Sequence, residues 1–389
     1  MTNTTSKPYR IISITVITAL LVIAFSSCNN PVLDTEERQT LLSNSQQSDE
    51  NALITTKSAI DSAPSPESTS EMSEIGLDPE QLGQETTFLR GISIGNALEA
   101  PSTEDWGVTI REEYFKTIQA AGFNAVRIPV RFSDYTGPAP AYVVQEAFFK
   151  IVDEVIQWGL DSGLTVVLDL HHFDAFMQNP SNEQDRFLSI WEQIAIRYQN
   201  IPSKLYFELL NEPYANVTYT IWNDLVEKSI ALIRDTNPSR KLIVGGVNFS
   251  DIESLIFLEL PADDNLIATF HFYEPFEFTH QGAEWVSGSS AWIGTKWENT
   301  PAEEMEIRQA LDSALEWSIL YEIPLVMGEF GVTSKADSDS RHDWIQFVTL
   351  EAESRGFSWI FWVFCSDFGI YDCQTETWDE SILNVLINQ

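Results

Sequence analysis

Basic side chains are scarce in this chain. Its 389 residues carry 22 Lys and Arg against 58 Asp and Glu, a formal net charge of -36. Such a chain repels phosphate backbones, which argues against nucleic acid as a partner; the acidity suits a soluble secreted protein. Cysteine is scarcer still. Cys28, Cys365 and Cys373 are too few for a disulfide framework. Cys365 and Cys373 flank "SDFGIYD" and could pair or stay free. Among the five histidines there is no His-Glu-x-x-His, and no His-x-His closes the first apolar run. A metal-dependent hydrolase is thereby disfavoured, and neither a metal nor any other cofactor is expected. No Gly-rich phosphate fingerprint follows the first apolar run, which argues against dinucleotide binding. What is abundant is core material, 43% hydrophobic and 12% aromatic residues, in a length that allows one large domain or two ordinary ones.

Long apolar runs are also rare. Ile11 to Phe25, "IISITVITALLVIAF", follows Lys7 and Arg10. It is short for a membrane span, which needs about 20 residues, but suits a signal peptide. It ends in "FSSCNN", where small Ser26 and Ser27 precede Cys28. This resembles the bacterial lipoprotein processing box, with Phe25 where leucine is usual. The resemblance implies a signal peptide over residues 1–27 and a lipidated Cys28. The protein would then be anchored in a bacterial cell envelope, facing outward or periplasmic. The plainer alternative is an ordinary secretory signal and a secreted protein. Residues 28–85 form an acidic, Ser/Thr-rich spacer, with "LLSNSQQSDE" and "DSAPSPESTSEMSE" offering too little apolar surface to order themselves.

From residue 86 to 389 the pattern changes. Eight short apolar or β-branched runs recur: "FLRGISIGN" (88–96), "AVRIPV" (125–130), "TVVLDLHH" (165–172), "LYFELLNEP" (205–213), "KLIVGGV" (241–247), "LIATFHFY" (266–273), "PLVMGEF" (324–330) and "SWIFWVF" (358–364). Amphipathic stretches such as 109–123 and 145–164 separate them. Apolar strands alternating with helices predict a parallel sheet covered on both faces. Eight units in roughly 300 residues predict an α/β fold of the (β/α)8 TIM-barrel type. A doubly wound open sheet is the alternative.

In such a barrel the active site gathers at the C-terminal strand ends. Those ends read Asn96, Arg127, His171 with His172, Asn211 with Glu212, His271 with Tyr273, Glu329 and Trp362. Glu212 and Glu329 end the fourth and seventh strands, facing each other across the mouth. One glutamate at a strand end is usually a cap or ion-pair partner. Two on facing strands, among Asn, Arg, Tyr and His, are the equipment for cleaving a glycosidic bond. His171 and His172 point to opposite faces of a strand, so both rings do not easily reach one ion.

Together, "FELLNEP" and "VMGEFG", with "RGISIGNALEAP", "GFNAVRIPVRF", "LDLHH", "HFYEPFEFTHQGAEW" and "WIFWVFCSDFGIYD", resemble glycoside hydrolase family 5, the family of retaining endo-glycanases that includes many bacterial cellulases. The resemblance covers residues 86 to 388. It implies that Glu212 is the acid/base and Glu329 the nucleophile, with carboxyls roughly 5–5.5 Å apart as retention requires. Arg127 and Tyr273 would hold the nucleophile, and an arginine there keeps a carboxylate ionised. Asn211 would bind the sugar 2-hydroxyl, His271 would sit near the acid/base, and His171 and His172 would line the cleavage subsite. Trp362 would be the platform beneath the sugar, with Asn96, Glu99, His280 and Trp285 further along the cleft. Val363 departs from the relatives, which often carry a polar residue there, frequently Glu.

The implied function is a retaining endo-β-1,4-glycanase, most readily an endoglucanase acting on a β-linked polysaccharide. β-Mannanase and xyloglucanase are the alternatives within the fold, and a non-catalytic glycan-binding lipoprotein is the alternative in kind. A monomer is expected. Trp158, Trp191, Trp222 and Trp317 lie in helical stretches and are predicted to be core. Trp285, Trp292 and Trp297 lie in a long Gly/Ser-containing segment where sugar stacking is the more natural use.

Overall fold

The computed structural model of the protein describes residues 89–102 and 105–388. The signal segment, Cys28 and the spacer lie outside the described residues. Eight parallel strands close into a barrel. They are β1 (Arg90–Ser93), β2 (Ala125–Val130), β3 (Thr165–Leu170), β4 (Leu205–Glu208), β5 (Leu242–Gly245), β6 (Leu266–Phe272), β7 (Leu325–Phe330) and β8 (Ser358–Phe361). All eight fall within the runs read from the sequence. β8 returns to pair with β1 through Gly91 opposite Ile360, so the sheet has no open edge and the doubly wound alternative is excluded.

Helices Glu112–Ala121, Glu146–Asp161, Pro180–Tyr198, Tyr219–Arg234, Pro301–Tyr321 and Ser338–Ser354 carry six of the crossovers, and Glu380–Ile387 follows the last strand. The crossover from β5 to β6 has only a short turn at Val247–Ser250 and the 3-10 helix Ile252–Phe257. Trp191 and Trp222 pin two of the helices to the sheet. Their indole N–H groups donate to the carbonyls of Leu209 at 3.0 Å and Gly245 at 2.8 Å, beside the C-terminal ends of β4 and β5. Both tryptophans are buried, as is Trp317, and Trp158 packs half-buried against the same core. Trp297 was expected in the cleft, but it is buried and packs on Phe347. The segment before helix Pro301–Tyr321 folds back onto the domain and takes this indole into the core.

Alternation along the strands positions the site. Leu89, Ala125, Val167, Tyr206, Ile243, Ile267, Val326 and Ile360 form a separate buried cluster with one residue at each strand. They plug the barrel. Two residues further along, the same inward face carries Arg127, Asp169, Glu208 and Thr269, all buried. An apolar floor with a polar layer above it follows from period two alone. On β7 the period is reset. Phe270 pairs with Met327 but His271 pairs with Glu329, so Gly328 is an extra residue in the ladder. A Cβ at Gly328 would lie 2.4 Å from Thr269 Oγ1, so only glycine fits without displacing that side chain. A bulge re-aims the next side chain, and here it lets Glu329 join the inward layer.

Candidate active site

The polar layer is organised by one arginine. Arg127, on β2, is fully buried. Its Nε and Nη2 donate to the two carboxylate oxygens of Glu208 at 2.7 and 3.0 Å. Nη1 donates to Glu329 Oε1 at 2.6 Å, and Nη2 also reaches Asn211 Oδ1 at 2.7 Å and Asp169 Oδ2 at 3.0 Å. A guanidinium suits this task because its donors form a fixed planar fork. Tyr273 donates its hydroxyl to Glu329 Oε2 at 2.9 Å. Both oxygens of Glu329 therefore accept a hydrogen bond. Burial raises its carboxyl, and His271, Arg127 and the Tyr273 hydroxyl oppose that by favouring the anion.

Glu212 is held differently. His271 Nδ1 lies 2.7 Å from its Oε1 and 3.8 Å from Glu329 Oε2. Burial pushes Glu212 up to about 7, against the pull of Arg127 and a hydrogen bond with Asn211. Burial also lowers His271, which is therefore neutral near pH 7. A neutral imidazole can accept a proton from the carboxylic acid or donate one to the carboxylate. It thus suits a group that must give up a proton and then take one back. One oxygen of Glu212, one of Glu329 and a nitrogen of His271 lie within 4.8 Å of one another, close enough for a metal ion. That geometry is fully explained by the two carboxylates and the histidine between them.

The remaining residues read from the strand ends surround this pair. His171 Nδ1 lies 2.5 Å from Asp169 Oδ2. Its ring is parallel to that of Trp362 at 5.6 Å, and His172 meets it edge-on at 4.6 Å. Burial holds both histidines below their usual range, His172 at about 2, so both are neutral. Gly95 lies against Trp362 and Glu99, where a Cβ would meet the indole at 2.6 Å and the carboxylate at 3.1 Å. Glu99 is buried and accepts from the backbone N–H groups of Asn96 and Ala97. Burial outweighs those bonds and raises it to about 7. Asn96 is half-buried, in the left-handed region at φ 62°, and its Oδ1 accepts from Ser366.

His280 contacts the ring of Tyr273 at 4.8 Å, and burial lowers it to about 3. Trp285 is 62% exposed and rests on Phe368, which also touches His280 and Tyr273. All thirteen candidate residues in the barrel therefore converge on one mouth. Val363 is fully buried and offers nothing to the cleft surface. Cys365 and Cys373 form a disulfide, which closes the loop that follows Trp362.

Sequence reading missed Asp169 and Glu208. Each is a charged residue inside an apolar run, "LDL" and "YFELL", and that anomaly was the available signal. Phe368, which carries Trp285, gave no signal at all.

Comparisons with known proteins identify the family of this barrel. Residues 83–367 match the family model Cellulase (glycosyl hydrolase family 5). The chain is 37% identical over 304 residues to endoglucanase H of Acetivibrio thermocellus, covering 77% of this chain and 32% of that protein. The chain thus spans about a third of that relative's length. Among solved structures, Thermotoga maritima Cel5A in complex with cellobiose superposes with a TM-score of 0.75 at 45% identity, covering 76% of this chain and 96% of that one. The same protein is also solved with mannotriose. The cellulose synthase subunit Z of Clostridioides difficile superposes with a TM-score of 0.76 at 44% identity, covering 77% and 99%.

Proposed function

The chain belongs to glycosyl hydrolase family 5, and from that membership we propose that it is a retaining endo-β-1,4-glucanase. The observation that carries the mechanism is the approach of Glu212 and Glu329, with oxygens within 4.8 Å. Retaining enzymes hold their two carboxyls about 5–5.5 Å apart, whereas inverting enzymes leave about 6.5–9.5 Å for a water. Glu329, ionised between Arg127 and Tyr273, attacks the anomeric carbon. Glu212, protonated and in contact with His271, gives its proton to the departing oxygen. A glycosyl-enzyme on Glu329 results. Glu212, now a carboxylate, takes a proton from water, which attacks that intermediate and restores the resting enzyme.

Endoglucanase H and the cellobiose-bound Cel5A support a β-1,4-glucan as the substrate class. The mannotriose-bound Cel5A supports mannan as a second substrate. Reducing ends released from soluble cellulose, mixed-linkage glucan, xyloglucan and mannan test the reading. Release from a β-1,4-glucan is expected, and release from none of the four would end it.

We also propose that Cys28 carries a lipid anchor and that the enzyme works as a monomer at the surface of a bacterial envelope. The support is the apolar run Ile11 to Phe25 followed by Ser26, Ser27 and Cys28. More than fifty residues of largely polar sequence follow Cys28 before the first barrel strand.

A further inference from the structure

The segment that follows β8 is held by a buried arginine. Arg341 lies in helix Ser338–Ser354. Its Nε donates to the Val332 carbonyl at 3.1 Å, its Nη2 to the carbonyls of Gly369 and Phe368 at 3.0 and 3.4 Å, and its Nη1 to Asp379 Oδ2 at 3.1 Å. One guanidinium therefore joins three stretches of chain. Val332 lies three residues beyond Glu329, Phe368 and Gly369 lie in the loop after Trp362, and Asp379 caps the last helix by accepting from the Ile382 N–H. Such a hold needs a planar fork of donors, which lysine does not supply. Burying a cation is costly unless its donors are met, and here they are met mostly by backbone carbonyls.

The same loop is closed a second time by a covalent bond. Cys365 and Cys373, with Cα atoms 6.0 Å apart, form a disulfide across it. Around the loop, the Ser334 N–H donates to the Asp367 carbonyl at 2.7 Å and Ser366 Oγ donates to Asn96 Oδ1 at 3.0 Å. A Cβ at Gly369 would lie 2.8 Å from the Cys365 carbonyl carbon, so only glycine permits so tight a fold. What the loop carries is Phe368. Its ring meets Trp285 at 5.8 Å, His280 at 5.1 Å and Tyr273 at 6.3 Å, and the Tyr273 hydroxyl bonds Glu329. Phe368 is itself buried, so it acts through these three neighbours.

Resting on the function proposed above, we propose that Arg341 is a positioning residue for glycan binding: with the Cys365–Cys373 disulfide it holds the loop that seats Phe368, and Phe368 in turn sets Trp285, His280 and Tyr273 along the cleft. The two holds act on one loop in different ways. Arg341 fixes its backbone carbonyls from the helix, and the disulfide ties its two ends. Releasing either lets the Phe368 ring shift, and the exposed indole of Trp285 moves with it. Affinity is lost before chemistry, because Arg127 still binds Glu329 from within the barrel.

Steady-state kinetics of the full chain on cellopentaose test this. Arg341→Lys keeps the charge opposite Asp379 but loses the fork. Its KM is expected to rise by up to about tenfold, the worth of one misplaced aromatic contact, with kcat nearly unchanged. The disulfide gives an independent arm. Both cysteines line an open cavity of about 730 Å³, within reach of tris(2-carboxyethyl)phosphine, which with water converts the bond to two thiols and itself to the phosphine oxide. That treatment should raise KM in the parent and change nothing in Cys373→Ser, whose KM is already raised. A merely structural role leaves fewer active molecules, so kcat falls at unchanged KM. That pattern, or an unchanged KM in either arm, overturns the proposal; should Arg341→Lys not fold, the disulfide arm decides it alone. If the unmutated protein leaves cellopentaose intact, the endoglucanase reading falls first and the positioning role with it.

Discussion

Arg127 Nη1 stands 2.6 Å from Oε1 of Glu329, and both side chains are shut away from solvent. The same guanidinium grips Glu208 with two further bonds. The proposed nucleophile is therefore tied to the floor of the barrel rather than to a loop. Replacing Arg127 by Lys keeps the charge but loses the fork, since an ammonium is a point donor. A hydrogen bond to a charged group contributes about 1.5–3 kcal/mol. Arg127→Lys is expected to lower kcat/KM by roughly ten- to a hundredfold and to lower the melting temperature. A variant with parental kinetics would mean that the nucleophile does not need this bond.

Activity should fall as pH rises through about 7. Glu212 must be protonated to act as the acid, and burial raises it to about 7. The alkaline limb of kcat/KM on a glycoside with a poor leaving group should sit near that value. A substrate whose leaving group needs no proton should lose that limb in its first step. An alkaline limb unchanged between the two substrates would assign it to another group.

Asp169 links two parts of the site, because its Oδ2 meets both Arg127 and His171. Burial raises its carboxyl from 3.8 to about 7, against Arg127. Between those values the folded protein binds a proton that the unfolded chain does not. The resulting stabilisation is complete below about pH 4 and is lost as pH rises to about 7. Asp169→Asn should flatten this part of the pH dependence in urea unfolding measured from pH 4 to pH 8. It should also lower turnover, since the His171 ring against Trp362 loses the carboxyl group that its Nδ1 meets at 2.5 Å. Parallel stability curves for variant and parent would contradict the assignment.

Most of the architecture could be read from the chain because strand periodicity and strand-end chemistry are local signals. Ala125–Val130 was located to the residue, and Glu212 and Glu329 stood out as charges closing apolar runs. Asp169 and Glu208 are charges inside such runs, a signal whose meaning appears only once Arg127 on a neighbouring strand is seen to bind both. The Gly328 bulge could not be read at all, since a ladder shift is a relation between two strands. Trp297 was misplaced because loop composition does not show which loops fold back onto the core.

Membrane attachment is tested at Cys28. Wild-type protein expressed in a bacterium should partition with the membrane fraction and should incorporate labelled fatty acid. Cys28→Ala should do neither and should keep its activity on soluble glucan. A Cys28→Ala protein that is processed and membrane-bound like the parent would rule out the lipid anchor.

The separate roles of the two glutamates are tested most directly by azide rescue, with product stereochemistry read by proton NMR. On an aryl β-cellobioside with a good leaving group, Glu212→Ala should form the glycosyl-enzyme and then stall. Azide should attack that intermediate from the face left by the departed group and give the β-glycosyl azide. Glu329→Ala forms no intermediate, so azide in the space of the lost carboxylate should give the α-glycosyl azide. The unmutated enzyme should release β-configured sugar first. Exchanged azide products would mean that the two roles are reversed. An α-configured first product from the unmutated enzyme would contradict double displacement at Glu329 altogether.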